Sequence, residues 1–298
     1  MTYGRAEIHA LLKAHDLHPS RALGQNFVAD ANTVRRIARL AEVGPGDRVL
    51  EIGAGLGSLT LALVETGAQV TALEVDRHVV PLLRTQVEPA GVRVVEADAL
   101  TVDLAGVLED GAGPSPGAAG PSGDWALVAN LPYNVAVPLV VRVLEEAPRV
   151  RSLLVMVQRE VGERLAAGVG DDAYGAVSVK VAYWATATLV GRVPATVFVP
   201  RPKVESALVR LVRHEAPAGG RPGPGSPAYD RLFTVVRAGF AQRRKMLRRS
   251  LDGVIDPAAF IAAAVAPTAR AEELGLAAWE RLAAWVPEGA VSPGVVPS

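Results

Sequence analysis

Apolar and polar positions along the chain fall into two regimes. From Arg48 to Gln158 short apolar runs alternate with segments of helical spacing. Arg48–Ile52 is an apolar strand, followed by a glycine-rich turn and a helical run from Leu59 to Glu65. Strand Gln69–Glu74, helix His78–Gln86 and strand Val92–Glu96 come next. The pattern then gives strand Trp125–Asn130, helix Val137–Glu146 and a buried strand Ser152–Gln158. Such alternation predicts an α/β fold, a mostly parallel sheet with helices on both faces. Ala176–Tyr183, Thr188–Val193 and Ser206–Val212 also read as strands with little helix between them, predicting an antiparallel end to the sheet. Beyond Ala228 the spacing turns helical (Leu232, Val235, Val236, Phe240, then Phe260, Leu274, Trp279, Leu282), which predicts a small C-terminal all-α domain.

Composition sets the boundaries. Gly111–Gly123 (GAGPSPGAAGPSG) has no periodicity and reads as a flexible insertion. Ala216–Pro227 reads as a linker. The expected organisation is thus an α/β domain over 1–215, a linker over 216–227, a helical domain over 228–290 and a disordered tail over 291–298. The chain has 298 residues, half of them apolar, enough for a sizeable core. No apolar run approaches the roughly 18 residues of a membrane span, and the start is not a secretory signal. With no cysteine, disulfides, thiolate metal sites and a cysteine nucleophile are excluded. A soluble cytoplasmic monomer without a metal is expected.

The net charge of zero hides an uneven distribution. Lysine occurs only at positions 13, 180, 203 and 245, so arginine, whose planar fork suits phosphate and bases, carries most of the positive charge. The densest cluster is Arg243-Arg244-Lys245-Met246-Leu247-Arg248-Arg249. Phe240, Leu247 and Leu251 would anchor it as a helix whose cations face nucleic acid. A solvated helix face is the plainer alternative.

The chemistry gathers at strand ends. Glu51-Ile-Gly53-Ala-Gly55-Leu-Gly57-Ser58 follows the first strand and opens a helix, a place where glycines let the backbone approach a ligand at the sheet's carboxyl edge. The dinucleotide fingerprint is imperfect, since Ser58 holds its last position, and a phosphate loop lacks its Lys-Ser/Thr pair. The form E-x-G-x-G-x-G instead resembles the first motif of class I methyltransferases. Glu74 ends the second strand, near the offset at which a carboxylate reaches ribose hydroxyls. Asp98 follows the third, placed to accept from an adenine amine. Each acid alone is equally a cap or a surface charge; in order, the three features point to a nucleoside cofactor.

Asn130-Leu131-Pro132-Tyr133 ends the fourth strand at the same crevice. It is a turn sequence, yet it also suits amine methylation. The exocyclic nitrogen of adenine is a poor nucleophile because its lone pair is delocalised. Acceptors at the Asn130 side chain and the Leu131 or Pro132 carbonyl would bind both N–H groups and favour a pyramidal nitrogen, an interaction that strengthens toward the transition state. Tyr133 would stack on the flipped base. Phe198, in Phe198-Val-Pro-Arg-Pro-Lys-Val-Glu-Ser206, would clamp its other face or else belong to the core.

Taken in order, Leu23-Gly-Gln-Asn-Phe27, Glu51–Thr60, Asn130–Tyr133, Phe198–Ser206 and Phe240–Leu247 resemble the bacterial small-subunit (16S) ribosomal RNA adenine dimethyltransferases, from about Pro19 to Leu251. The resemblance implies a class I, Rossmann-like sheet and S-adenosylmethionine as cofactor, with Asn26, Val28, Gly53, Glu74, Asp98 and Asn130 contacting it beside the Gly55 turn. Asn130, Leu131, Pro132, Tyr133 and Phe198 would form the methyl-transfer site. It further implies methylation of two adjacent adenines in the 3′-terminal hairpin loop of the RNA within a partly assembled small subunit. Arg243, Arg244, Lys245, Arg248 and Arg249 would neutralise phosphates. Macrolide-resistance methyltransferases of large-subunit RNA are the nearest alternative, followed by a non-catalytic assembly factor and a DNA adenine methyltransferase. Glu160, Glu163 and Arg164 receive no role.

Overall fold

The structure, a computed structural model, describes residues 2–110, 124–215 and 220–286. The expected insertion, the start of the linker and the tail lie outside them. In chain order the elements are α1 (Arg5–Ala14), β1 (Phe27–Val28), α2 (Ala31–Leu40), β2 (Arg48–Ile52), α3 (Ser58–Val64), β3 (Gln69–Glu74), α4 (Val80–Val87), β4 (Arg93–Glu96), α5 (Leu104–Asp110), β5 (Trp125–Asn130), α6 (Ala136–Glu146) and β6 (Val150–Gln158). Then come α7 (Arg159–Ala166), α8 (Ala176–Trp184), β7 (Ala185–Val193), β8 (Phe198–Val199), β9 (Ser206–Arg213), α9 (Pro227–Ala241), α10 (Leu247–Ser250), α11 (Pro257–Ala262) and α12 (Leu276–Ala283).

Two compact units emerge, 1–163 with 187–213, and 164–186 with 214–298. In the first, a seven-stranded sheet runs in the order β4-β3-β2-β5-β6-β9-β7. Neighbours from β4 to β6 are parallel, and β9 joins β6 antiparallel. Val49, Leu50, Glu51 and Ile52 are consecutive and all buried, so both faces of the sheet are covered. Strand order reverses between β2 and β5, which leaves a crevice at their carboxyl ends. A separate two-stranded ribbon pairs β1 with β8, Phe27 opposite Val199 and Val28 opposite Phe198.

The second unit packs around Trp279, Phe233, Tyr229, Tyr183 and Tyr174. Here two expectations fail. Residues 176–183 form helix α8 rather than a strand. Their alternating Val177, Val179, Val181 and Tyr183 mimic a period of two. But Gly175 and Ser178 build a helix start, the Ser178 hydroxyl accepting from the Gly175 amide at 3.0 Å and donating to the Arg164 carbonyl at 2.6 Å. Tyr183 then meets Tyr229 and Phe233 edge-on. Consequently Arg164–Thr186 clusters with the C-terminal helices, not with the α/β unit as the limit at 215 had it.

Candidate active site

The crevice is lined by the ends of β2, β3 and β5, the loop after β4, and the segment 22–28. After Ile52 the chain turns through Gly53, Ala54 and Gly55 into α3. Gly55 has φ +55°, and a Cβ there would lie 2.9 Å from Phe27 Cε1, so both backbone and space require glycine. Its amide donates to Glu74 Oε2 at 2.7 Å, while Glu74 Oε1 accepts from the Val75 and Asp76 amides, each at 3.0 Å. Glu74 is 4% exposed, and burial outweighs these three donors to hold its carboxyl above the usual range. With about four acceptor sites on a carboxylate, Oε2 keeps one for a ligand.

Asp98 stands in an exposed loop whose turn is closed by its own Oδ1 on the Leu100 amide at 2.8 Å. Arg142 of α6 pins this loop by donating to the Ala99 and Val102 carbonyls. Asn26 accepts at its carbonyl from Asn130 Nδ2 at 2.9 Å, and Gln25 Nε2 donates to Asp76 Oδ2 at 2.7 Å. The Leu23–Phe27 segment is therefore stitched to the strand ends. Before any resemblance it reads as no more than a loop ahead of a capped helix. The cap is there too, Asp30 Oδ1 accepting from the Thr33 amide at 2.6 Å.

With Nδ2 committed to Asn26, Asn130 offers its Oδ1 as acceptor. The Leu131 amide donates to the Met156 carbonyl at 3.0 Å, and the Pro132 carbonyl already accepts from Val135 at 3.2 Å. Tyr133 lines the crevice, its hydroxyl 2.9 Å from Ser206 Oγ, and burial raises its pKa. Ser206 is fully buried at the start of β9, a tether that spacing along the chain gives no means of seeing. Asn26, Val28, Gly53, Gly55, Glu74, Asp98, Asn130, Leu131, Pro132 and Tyr133 are all brought together.

Phe198 is not. It is completely buried in the hydrophobic cluster with Val34, Ile37 and Leu208 and does not itself line the crevice, although its ribbon partner Val28 does, so it fits the core alternative better than the base clamp. Glu51, which carried no role beyond its motif, also lines the crevice. It is 1% exposed, and burial, reinforced by the nearby Glu74, pushes its carboxyl up to about 8. Thr60 eases that shift without reaching hydrogen-bond geometry, since Glu51 Oε2 and Thr60 Oγ1 have no partner among the described residues.

The crevice lining contains the carboxyl groups of Glu51, Glu74 and Asp98 and no Lys, Arg or His. Glu51 keeps its proton at neutral pH, so the lining offers hydrogen-bonding carboxyl groups and the exposed Asp98 to a ligand, and it gives an anion no cationic partner. Among the described residues no cluster of potential ligands could hold a metal ion, and no helix is long and apolar enough to cross a membrane.

In the second unit the basic segment is not one helix. Helix α9 stops at Ala241, residues 242–245 turn, Met246 bridges Arg270, and α10 covers only Leu247–Ser250. Leu247 and Leu251 are buried as anchors, with Phe240 packed against them. Arg243 is corrected: its Nε pairs with Glu272 Oε2 at 2.7 Å and its Nη2 donates to the Asp172 carbonyl at 2.6 Å, so it braces the unit. Arg244, Lys245, Arg248 and Arg249 are exposed.

The model of the ribosomal RNA adenine dimethylase family matches residues 18–287. A small-subunit ribosomal RNA methyltransferase A from Nocardia farcinica is 45% identical over 293 residues, 94% of each chain. One from Leifsonia xyli is 46% identical over 292 residues, covering 94% of this chain and 97% of its own. Among solved structures, the 23S rRNA methyltransferase ErmE aligns with TM-score 0.63 at 28% identity over 87% of this chain and 99% of its own. A dimethyladenosine transferase from Plasmodium falciparum aligns with TM-score 0.65 at 22% identity, covering 85% and 94%, a likeness of fold.

Proposed function

The chain belongs to the ribosomal RNA adenine dimethylase family, and on that premise we propose that it methylates the exocyclic amines of two adjacent adenines in the 3′-terminal hairpin loop of 16S ribosomal RNA. S-adenosylmethionine is the methyl donor, and the partly assembled small subunit, in the cytoplasm, is the substrate. The single observation that carries the reading is the junction at β5. Asn130 closes the acid-lined cofactor crevice through Asn26 and opens the target site with its Oδ1.

When bound, the cofactor supplies an electrophilic methyl group on a positively charged sulfur. The residues present fit it: the lining is acidic, and Glu74 keeps an acceptor for a ribose hydroxyl while Asp98 keeps Oδ2 for an adenine amine. Val28 and Gly53 supply apolar and backbone surface. Asn130 Oδ1 and the Leu131 carbonyl accept the two N–H groups of the target amine and turn its lone pair toward the methyl group. Tyr133, its ring held by Ser206, stacks on the base. The Pro132 turn fixes the spacing, so most of the rate comes from orientation. The nitrogen becomes acidic only after it gains the methyl group, and no base is needed beforehand.

Arg244, Lys245, Arg248 and Arg249 of the helical unit are assigned to phosphates, with Arg243 excluded. The domains are accordingly 1–163 with 187–213 for chemistry and 164–186 with the C-terminal helices for RNA contact.

A large-subunit target is the competing reading, favoured only by the likeness to ErmE, at lower identity than the small-subunit relatives. Labelled methyl transfer decides between them. Undermethylated small subunits are expected to take up label and naked large-subunit RNA to take up none; label in the large-subunit RNA alone would overturn the assignment.

A further inference from the structure

Two loops border the target tetrapeptide in the α/β unit. The first, 20–25, is packed on it: a Cβ at Gly24 would lie 2.9 Å from Asn134 Oδ1 and 3.1 Å from Pro132 Cβ. That contact, with φ +63° at Gly24, fixes the loop closely against Pro132 and Asn134. The second, 200–205, is held at both ends. At one end the β1–β8 ribbon aligns Phe27 with Val199, which brings Pro200 alongside Asn26. At the other, Ser206 holds the Tyr133 hydroxyl at 2.9 Å.

Both loops carry exposed cations, Arg21 on the first, Arg201 and Lys203 on the second. Several arginines of this unit are held by partners. Arg84, Arg142, Arg151, Arg159 and Arg210 sit in ion pairs, and Arg213 donates to the Val143, Leu144 and Ala147 carbonyls at the end of α6 and to Val150 of β6. By contrast, the side chains of Arg21, Arg201 and Lys203 make no hydrogen bond or ion pair among the described residues. Arg159, which follows β6 beside Ser206, is the near cation that does not qualify, since Glu163 and Glu205 hold it at 3.5 and 3.7 Å.

The crevice lining holds no Lys, Arg or His, so it offers phosphate no partner, and an RNA strand that delivers a base to Tyr133 keeps its backbone outside. Unpaired cations at the mouth supply the attraction that the floor lacks. Resting on the function proposed above, we propose that Arg21, Arg201 and Lys203 form a rim that binds the phosphates flanking the target adenine and holds the strand while the base is flipped in. The rim belongs to the α/β unit and is distinct from the basic segment of the helical unit.

The test uses the full chain, undermethylated small subunits and a variant carrying Arg21→Gln, Arg201→Gln and Lys203→Gln. Loss of three phosphate contacts is expected to make the log–log salt dependence of subunit binding shallower by about 2. KM for the subunit is expected to rise about tenfold at moderate salt. S-adenosylmethionine affinity by calorimetry should stay unchanged, because no rim residue lines the cofactor crevice. A photo-crosslinking side chain at position 203 should attach to nucleotides adjoining the methylated adenines. An unchanged salt slope and KM, or crosslinks only to distant RNA, would overturn the rim. Failure of the unaltered protein to methylate small subunits would instead count against the function itself.

Discussion

The crevice of the α/β unit and the basic surface of the helical unit handle charge in opposite ways. In the crevice, Glu51 and Glu74 are 1% and 4% exposed, and Glu74 is locked by three backbone amides. In the helical unit, Arg244, Lys245, Arg248 and Arg249 of the basic segment stand in solvent, while Arg243 beside them is fixed by Glu272. Burial makes each crevice group expensive and geometrically exact in its duty, which suits one small ligand in one pose. Exposure makes the surface cations individually weak and additive, which suits a long polyanion. A change in the crevice should therefore act steeply and alone, whereas changes on the surface should act gradually and together.

The sharpest contrast is expected at Asn130. Replacing it by Ala removes the acceptor proposed to orient the target nitrogen, and kcat should fall by about 100-fold or more, as for loss of one preorganised polar contact in other active sites. Subunit affinity, measured by sedimentation binding, should stay within about threefold because phosphates carry it. Equal loss of both would break the comparison. Gly55→Ala comes next. It puts a Cβ against the Phe27 ring in a left-handed backbone and should cost about 1–3 kcal/mol in thermal unfolding, with a parallel loss of cofactor affinity.

Tyr133→Phe keeps the stacking ring and loses only the Ser206 tether. A loss of about 1 kcal/mol, near fivefold in kcat/KM, is expected. Ser206→Ala should not add to it in a double-mutant cycle, and additivity would show that the tether does not position the ring.

A separate contrast is a pH slope in stability. Glu51 keeps its proton in the folded chain up to about 8, whereas the unfolded chain releases it near 4.5. The unfolded state then binds fewer protons across that window, so stability is fully present below it and falls as pH rises toward 8. Glu51→Gln should flatten this slope in melting temperature against pH; an unchanged slope would show that Glu51 is already ionised when folded.

Much of the crevice is legible in the chain because its parts are local. Strand, glycine turn and strand-end acid each fall within a few residues, and a parallel sheet brings successive strand ends to one edge. What is not legible is long-range. Ser206 reaches Tyr133 across 73 residues, and Asn26 reaches Asn130 across 104. Phe198 shows the same limit from the other side, since its motif gives no sign that the β1–β8 ribbon buries it. Helix α8 is hidden in the pattern because a β-branched alternation is also compatible with a helix once aromatic packing favours it. The break in the basic segment is hidden too, because composition reveals the charges but not the turn at 242–245.

The most direct test of the central claim is the chemical position of the transferred methyl groups. Small subunits incubated with the protein and S-adenosylmethionine are digested to nucleosides and analysed by mass spectrometry. The account predicts N6,N6-dimethyladenosine, lost with Asn130→Ala. Methylation at a ring nitrogen, a ring carbon or a ribose hydroxyl would contradict it, because the proposed mechanism assigns Asn130 and Leu131 to an exocyclic amine.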